Sequence, residues 1–108
     1  MTNQDFEQIL NTQLDYCKGL LTSKGKEYDL TVDDRFHSFK TAAAVQNCTP
    51  KQALCGMMCK HTISIYDMAC SPESFTHAKW VEKITDHINY LLLLRGMIEE
   101  EAQAYEIH

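Results

Sequence analysis

Glu82, Asp86 and Asn89 follow one another at steps of four and three residues. On an α-helix they fall within an arc of roughly 60°, so two carboxylates and an amide share one face. Such a face is a solvated strip, or it pairs with cations, or it holds a metal, because an isolated buried charge is costly. His61 lies in an apolar seam, where the choice is between a hydrogen-bonded core histidine and a ligand. Cys55 and Cys59 sit near it, but they lack the two-residue spacing and second ligand pair of a zinc site. They read as small core thiols. Glu99-Glu100-Glu101 reads as a solvated, fraying helix end, since the dipole there disfavours acid.

These residues need long helices to carry them, and the sequence supplies four helical patterns. The first opens with Thr2 and Asp5 in a capping arrangement and carries Phe6, Ile9, Leu10, Leu14, Cys17, Leu20 and Leu21 at three- and four-residue steps. It is expected to end at Gly25, with a polar loop from there to Asp34. The second is capped by Asp33 or Asp34 and turns Phe36, Phe39, Ala43 and Val45 inward before Asn47. Thr49-Pro50-Lys51-Gln52 starts the third, with Thr49 as cap, Pro50 in the first turn and Gln52 completing a capping box. Leu54, Met58, His61, Ile65 and Met68 form its packing seam, and it stops near Cys70-Ser71-Pro72.

The fourth helix begins between Ser71 and Thr76 and runs past Glu100. Val81, Ile84, Ile88, Leu91, Ile98, Ala102 and Tyr105 keep its seven-residue rhythm, nearly opposite Glu82, Asp86 and Asn89. Tyr90 to Leu94 make its middle apolar around most of the circumference, which implies burial on more than one side, in a partner subunit or around a pocket. The expectation is a single all-α domain over 1–108, an antiparallel four-helix bundle, oligomeric through its last helices.

Composition agrees with that architecture. The 108 residues hold 4 Gly and 2 Pro, too few turn residues for an all-β chain of this length. Gly25, Pro50 and Pro72 fall at expected helix boundaries, whereas Gly56 and Gly96 lie inside helical patterns and point to close approach by a neighbouring helix. A net charge of −5 speaks against binding duplex nucleic acid. No apolar run follows Met1 and none is long enough to span a bilayer, so neither secretion nor a membrane partner is expected. The odd set of five cysteines suits reduced thiols in a cytoplasmic setting.

The run Lys24-Gly25-Lys26-Glu27-Tyr28, then Asp33-Asp34-Arg35-Phe36-His37 and Phe39-Lys40, resembles a small phage and bacterial family related to the nucleotide modification associated domains. Lys60-His61, Ser64, Glu82-Lys83-Ile84, Asp86 and Asn89-Tyr90-Leu91-Leu92 continue the pattern in the same order, over most of the chain. That family is similar in turn to the all-α nucleoside triphosphate pyrophosphatases of the MazG and dimeric dUTPase group. The chain departs from that group in three ways. No Glu-x-x-Glu pair occurs between residues 34 and 70, the later pair is Glu82-x-x-x-Asp86 rather than Glu-x-x-Asp, and Ser38 stands where the closer family carries Asn.

The resemblance implies a helical homodimer or higher homo-oligomer that hydrolyses a canonical or modified nucleoside triphosphate with Mg²⁺. In that scheme Glu82 and Asp86 hold the metal, which neutralises phosphate charge and positions a water. Asp34 or Glu27 approaches from the earlier loop as a further ligand or base. Lys24, Lys26, Arg35 and Lys60 contact phosphates, Tyr28 stacks on the base, and His61 or Asn89 donates hydrogen bonds. Two alternatives are equally coherent on the residues. Arg35 and Lys60 can instead neutralise Asp86 and Glu82 across the bundle, and a non-catalytic helical dimer can bind or sequester a nucleotide or nucleotide-like signal.

Overall fold

The computed structural model describes residues 1–27 and 34–106, with side chains described outside 23–27 and 106. Among the described residues there are four helices and no strand: α1 (Asn3–Glu27), α2 (His37–Gln46), α3 (Pro50–Cys70) and α4 (His77–Glu106). The protein is all-α, as the shortage of turn residues requires. It divides into two compact units, Met1–Asp33 and Asp34–His108.

The first unit is α1. Its start is the expected reciprocal cap: Asp5 N–H donates to Thr2 Oγ1 at 3.1 Å, and Thr2 N–H donates to Asp5 Oδ2 at 3.2 Å. Cys17 is buried, while Phe6, Ile9, Leu10 and Leu14 on the same stripe remain exposed. The helix does not stop at Gly25 but continues to Glu27. A glycine inside a helix costs only about 1 kcal/mol, and the flanking Lys24, Lys26 and Glu27 are good helix formers, so the interruption is absorbed. Lys24 to Glu27 thus belong to α1 rather than to a loop, and Tyr28 to Asp33 lie outside the described residues.

In the second unit the connections are set by local capping. Asp34 accepts from Phe36 N–H through Oδ1 at 3.0 Å and from His37 N–H through its carbonyl at 3.1 Å, which turns the chain into α2. Phe36 holds the cap position itself, so Asp34 acts two residues before the cap rather than as the cap. Asn47 ends α2 in the left-handed conformation (φ 55°) and sends its N–H back to the last turn. Two residues later the capping box of α3 is complete, with Gln52 N–H on Thr49 Oγ1 at 3.2 Å and Thr49 N–H on Gln52 Oε1 at 3.0 Å. Thr76 caps α4 by accepting from Lys79 N–H at 3.1 Å.

Helix directions follow from cross-helix contacts. Lys51 meets Glu101, His61 meets Tyr90 and Thr62 meets His87, so α3 and α4 are antiparallel. Phe36 packs at Gly96 and Lys40 bonds Glu100, so α2 runs alongside α4 in the same sense. The core is Phe36, Leu54 and Met97, with Phe39, Tyr90, Leu93 and Leu94 packed against it. Phe36, Ala43, Leu54 and Met68 are buried as expected, but Val45 is 82% exposed. It directly follows Ala43-Ala44 on α2, and the short, Ala-rich helix reaches α3 through Ala43 instead.

Burial on more than one side was expected for α4, but much of its seven-residue stripe is left exposed. Ile84, Leu91, Ile98 and Tyr105 are exposed, whereas Thr85, Leu93, Gly96 and Met97 face the core side. A helix apolar around its middle cannot reveal by periodicity which side is covered. Gly96 decides it: a Cβ there would lie 2.9 Å from Phe36 Cζ, so only glycine admits the ring. Cys55 and Cys59 are likewise exposed on α3 rather than core thiols.

Candidate functional site

Where the apolar core gives out, α4 carries a polar layer of Thr85, Asp86, His87 and Asn89. His87 of this layer meets Thr62 of α3, and His61 of α3 meets Tyr90. The geometry that put Glu82, Asp86 and Asn89 on one helix face holds, and that face is the one turned towards the core side of α4. Glu82, nearest the start of the helix, is exposed; Asp86 and Asn89, one and two turns further on, are half-buried. The Asn89 Oδ1 is buried and has no hydrogen-bond partner among the described residues. Thr85 beside it is buried and engaged.

His61 and Tyr90 stack between α3 and α4 with ring centroids 4.9 Å apart and planes tilted by 37°. Thr62 Oγ1 and His87 Nε2 bond at 2.9 Å, a cross-helix link among exposed groups. Nothing in the spacing of Thr62 and His87 marks them as partners, since the link exists only once α3 and α4 are antiparallel in this register. His61 was foreseen as a seam residue, and its stacking on Tyr90 gives it a packing role there.

Other residues expected at the site lie elsewhere. Asp34 Oδ2 pairs with Lys40 Nζ at 2.9 Å, and Lys40 also pairs with Glu100 at 3.0 Å. Glu100 is fourteen residues past Asp86 on one helix, about 21 Å along its axis, so Asp34 belongs to the opposite end of α4 from Glu82 and Asp86. The Lys40 hydrogen bond, joined by the Phe36 N–H, holds the Asp34 carboxyl below its ordinary value, and the Asp34 and Glu100 carboxylates hold the Lys40 ammonium above its own. Asp34 is thus a charged anchor for α2.

Lys60 is exposed and sits roughly 160° around α3 from the positions that meet α4. It makes no ion pair with Glu82 or Asp86, so the expected neutralisation across the bundle is not formed by this lysine. Arg35 is exposed at the entry to α2 and is engaged in an interaction of its own. Lys24 and Lys26 lie on α1, and Tyr28 lies outside the described residues. The structure therefore keeps Glu82, Asp86 and Asn89 on one face of α4, brings His61 of α3 against Tyr90, and leaves Asp34 at the opposite end of α4 and Lys60 on the outer side of α3.

Glu82 and Asp86 are one turn apart, and among the described residues no group of three or more His, Cys, Asp or Glu side chains is arranged to hold a metal. Two carboxylates fit Mg²⁺ that arrives with phosphate and water as its remaining ligands, and they do not make an all-protein cage. No described helix is long and apolar enough to cross a membrane. No protein-family model, curated protein or solved structure matches this chain.

Proposed function

We propose that this chain binds a nucleotide or nucleotide-like ligand, with its divalent cation, against the polar layer of α4, and that binding rather than turnover is its role. The observation that carries this reading is the Asn89 carbonyl. A buried acceptor without a donor costs about 1–3 kcal/mol, and a ligand N–H or O–H arriving there would recover it. One turn away, Asp86 and then Glu82 offer the one or two carboxylates that a phosphate-bound Mg²⁺ takes from protein. Binding is favoured over hydrolysis because Asp34, the expected additional ligand or base, is tied to Lys40 and Glu100 at the far end of the helix.

The resemblance to all-α pyrophosphatases supports the second reading, a Mg²⁺-dependent nucleoside triphosphate pyrophosphohydrolase in which Glu82 and Asp86 hold the metal. It also supports a homo-oligomeric state. Calorimetric titration with nucleoside mono-, di- and triphosphates, with and without Mg²⁺, separates the readings. The binding reading predicts saturable heat that Asn89→Leu and Asp86→Asn remove, with nucleotides recovered intact. Pyrophosphate release lost in Glu82→Gln would establish hydrolysis instead. No heat with any nucleotide would end both.

A further inference from the structure

The face of α3 turned away from α2 and α4 is apolar and open. Gly56, Cys59, Ile63 and Cys70 fall within an arc of roughly 60° around the helix, all exposed, with Ile63 55% and Tyr66 at the stripe's edge 70% accessible. A Cβ placed on Gly56 would meet nothing within 4 Å. Glycine inside a helix costs about 1 kcal/mol relative to alanine, and at Gly96 the close approach of Phe36 accounts for it. At Gly56 nothing among the described residues does, and the same face holds exposed thiols and large apolar side chains that water disfavours.

Charge on this face selects the occupant. Lys60 and Asp67 flank the stripe on one side, seven residues apart, and neither forms an ion pair among the described residues. When two copies of a helix pair antiparallel about a two-fold axis, equal flanks meet and residues equidistant from the centre come level. With Ile63 at the axis, Lys60 of one copy comes within about 1.5 Å of the height of Asp67 in the other, and symmetry makes two such pairs. The same register sets the bulky Tyr66 beside the small Cys59 and brings Gly56 level with Cys70, so large meets small. A parallel pairing would instead turn the flank that carries Lys60 and Asp67 towards the partner's opposite flank, which carries Tyr66 and Cys59, and form no such pair.

We infer that a second copy of this chain docks on the outer face of α3, antiparallel and centred on Ile63, closed at each end by a Lys60–Asp67 pair. This assignment stands apart from the nucleotide reading and does not depend on it. Two 21-residue helix faces offer roughly the 1,000 Å² in total that marks the lower limit of a specific interface, so the dimer is concentration-dependent.

Sedimentation of the full chain over a wide concentration range tests it. The wild type is expected to move from 12.4 kDa towards twice that mass. Lys60→Glu, and separately Asp67→Lys, set like charges across the axis and are expected to weaken the dimer about tenfold or more. Combining the two exchanges the charges and restores it. Ile63→Lys, at an exposed position where folding is unaffected, abolishes it, with circular dichroism confirming unchanged helicity. A chain that stays monomeric at the highest concentration overturns the inference. So does a dimer indifferent to Lys60→Glu and Ile63→Lys but broken by Leu91→Lys, which would locate the contact on α4.

Discussion

Two glycines in similar helical contexts have opposite surroundings, and substitution should separate them. At Gly96 an added methyl meets the Phe36 ring at 2.9 Å, so Gly96→Ala trades about 1 kcal/mol of helix propensity for an overpacking cost of about 1–3 kcal/mol. The net result is destabilisation, read as a lower urea midpoint. Gly56→Ala, measured at concentrations where the chain is monomeric, meets open space and should stabilise by about 0.5–1 kcal/mol. The Asn89 carbonyl gives a third test. Asn89→Leu removes a buried unpartnered acceptor and should leave stability unchanged or raise it by about 1 kcal/mol in urea melts. A gain in stability coupled to a loss of ligand binding is what a residue retained for a ligand would show, whereas a purely structural asparagine would lose stability.

Helix caps were the part of the fold most legible in sequence, because every partner lies within three residues. Thr2 with Asp5 and Thr49 with Gln52 form as their spacing demands. Thr49→Ala should cost about 1 kcal/mol in chemical denaturation. The helix interiors were less legible wherever two sides were equally apolar. Val45 was expected inside and is exposed, while α4 was expected to be buried on more than one side, and the fit of Phe36 at Gly96 marks the side that is covered. The candidate site divides in the same manner. One helix face carries Glu82, Asp86 and Asn89 by geometry alone, while the distance of Asp34 from them is set by the tertiary bond that its partner Lys40 makes to Glu100.

The Asp34–Lys40–Glu100 link also fixes how the junction of α2 and α4 answers to pH. The Asp34 carboxyl is held below its ordinary value of 3.8, first by the Lys40 hydrogen bond and then by the Phe36 N–H. Its contribution is therefore fully present above that ordinary range and is lost as pH falls through the lower folded value. Lys40 is raised above 10.5, so its share is complete below that value and is lost as pH climbs through the folded one. Carboxyl-detected NMR should find Asp34 titrating below 3.8, and Lys40→Met should move it upward.

Over the described residues, the buried core is small and many large apolar side chains are exposed in each unit. Phe36, Leu54 and Met97 centre the second unit, while Phe6, Leu14, Ile63, Tyr66, Leu91 and Ile98 remain open to solvent. Association would cover part of that surface, and mass action would then stabilise the folded chain. The thermal midpoint should accordingly rise with protein concentration, and the rise should disappear in Ile63→Lys. The all-α class was readable from composition because turn residues are scarce everywhere. Which apolar faces stay uncovered was not, since periodicity reports a face and not its neighbour.

Between Gln46 and Pro50 the chain reverses through Asn47, Cys48 and Thr49, with the end of α2 and the start of α3 each satisfied within a few residues. Such a hairpin closes a short loop before any distant segment is recruited, so it has a kinetic advantage over the pairing of α3 with α4. It should be the first piece to form. In stopped-flow refolding, Thr49→Ala should slow folding by most of its equilibrium cost, whereas substitutions at the Lys51–Glu101 contact should act on unfolding. The turn thereby sets the order in which the second unit is assembled: α2 with α3 first, and α4, with the acidic face of the candidate site, last.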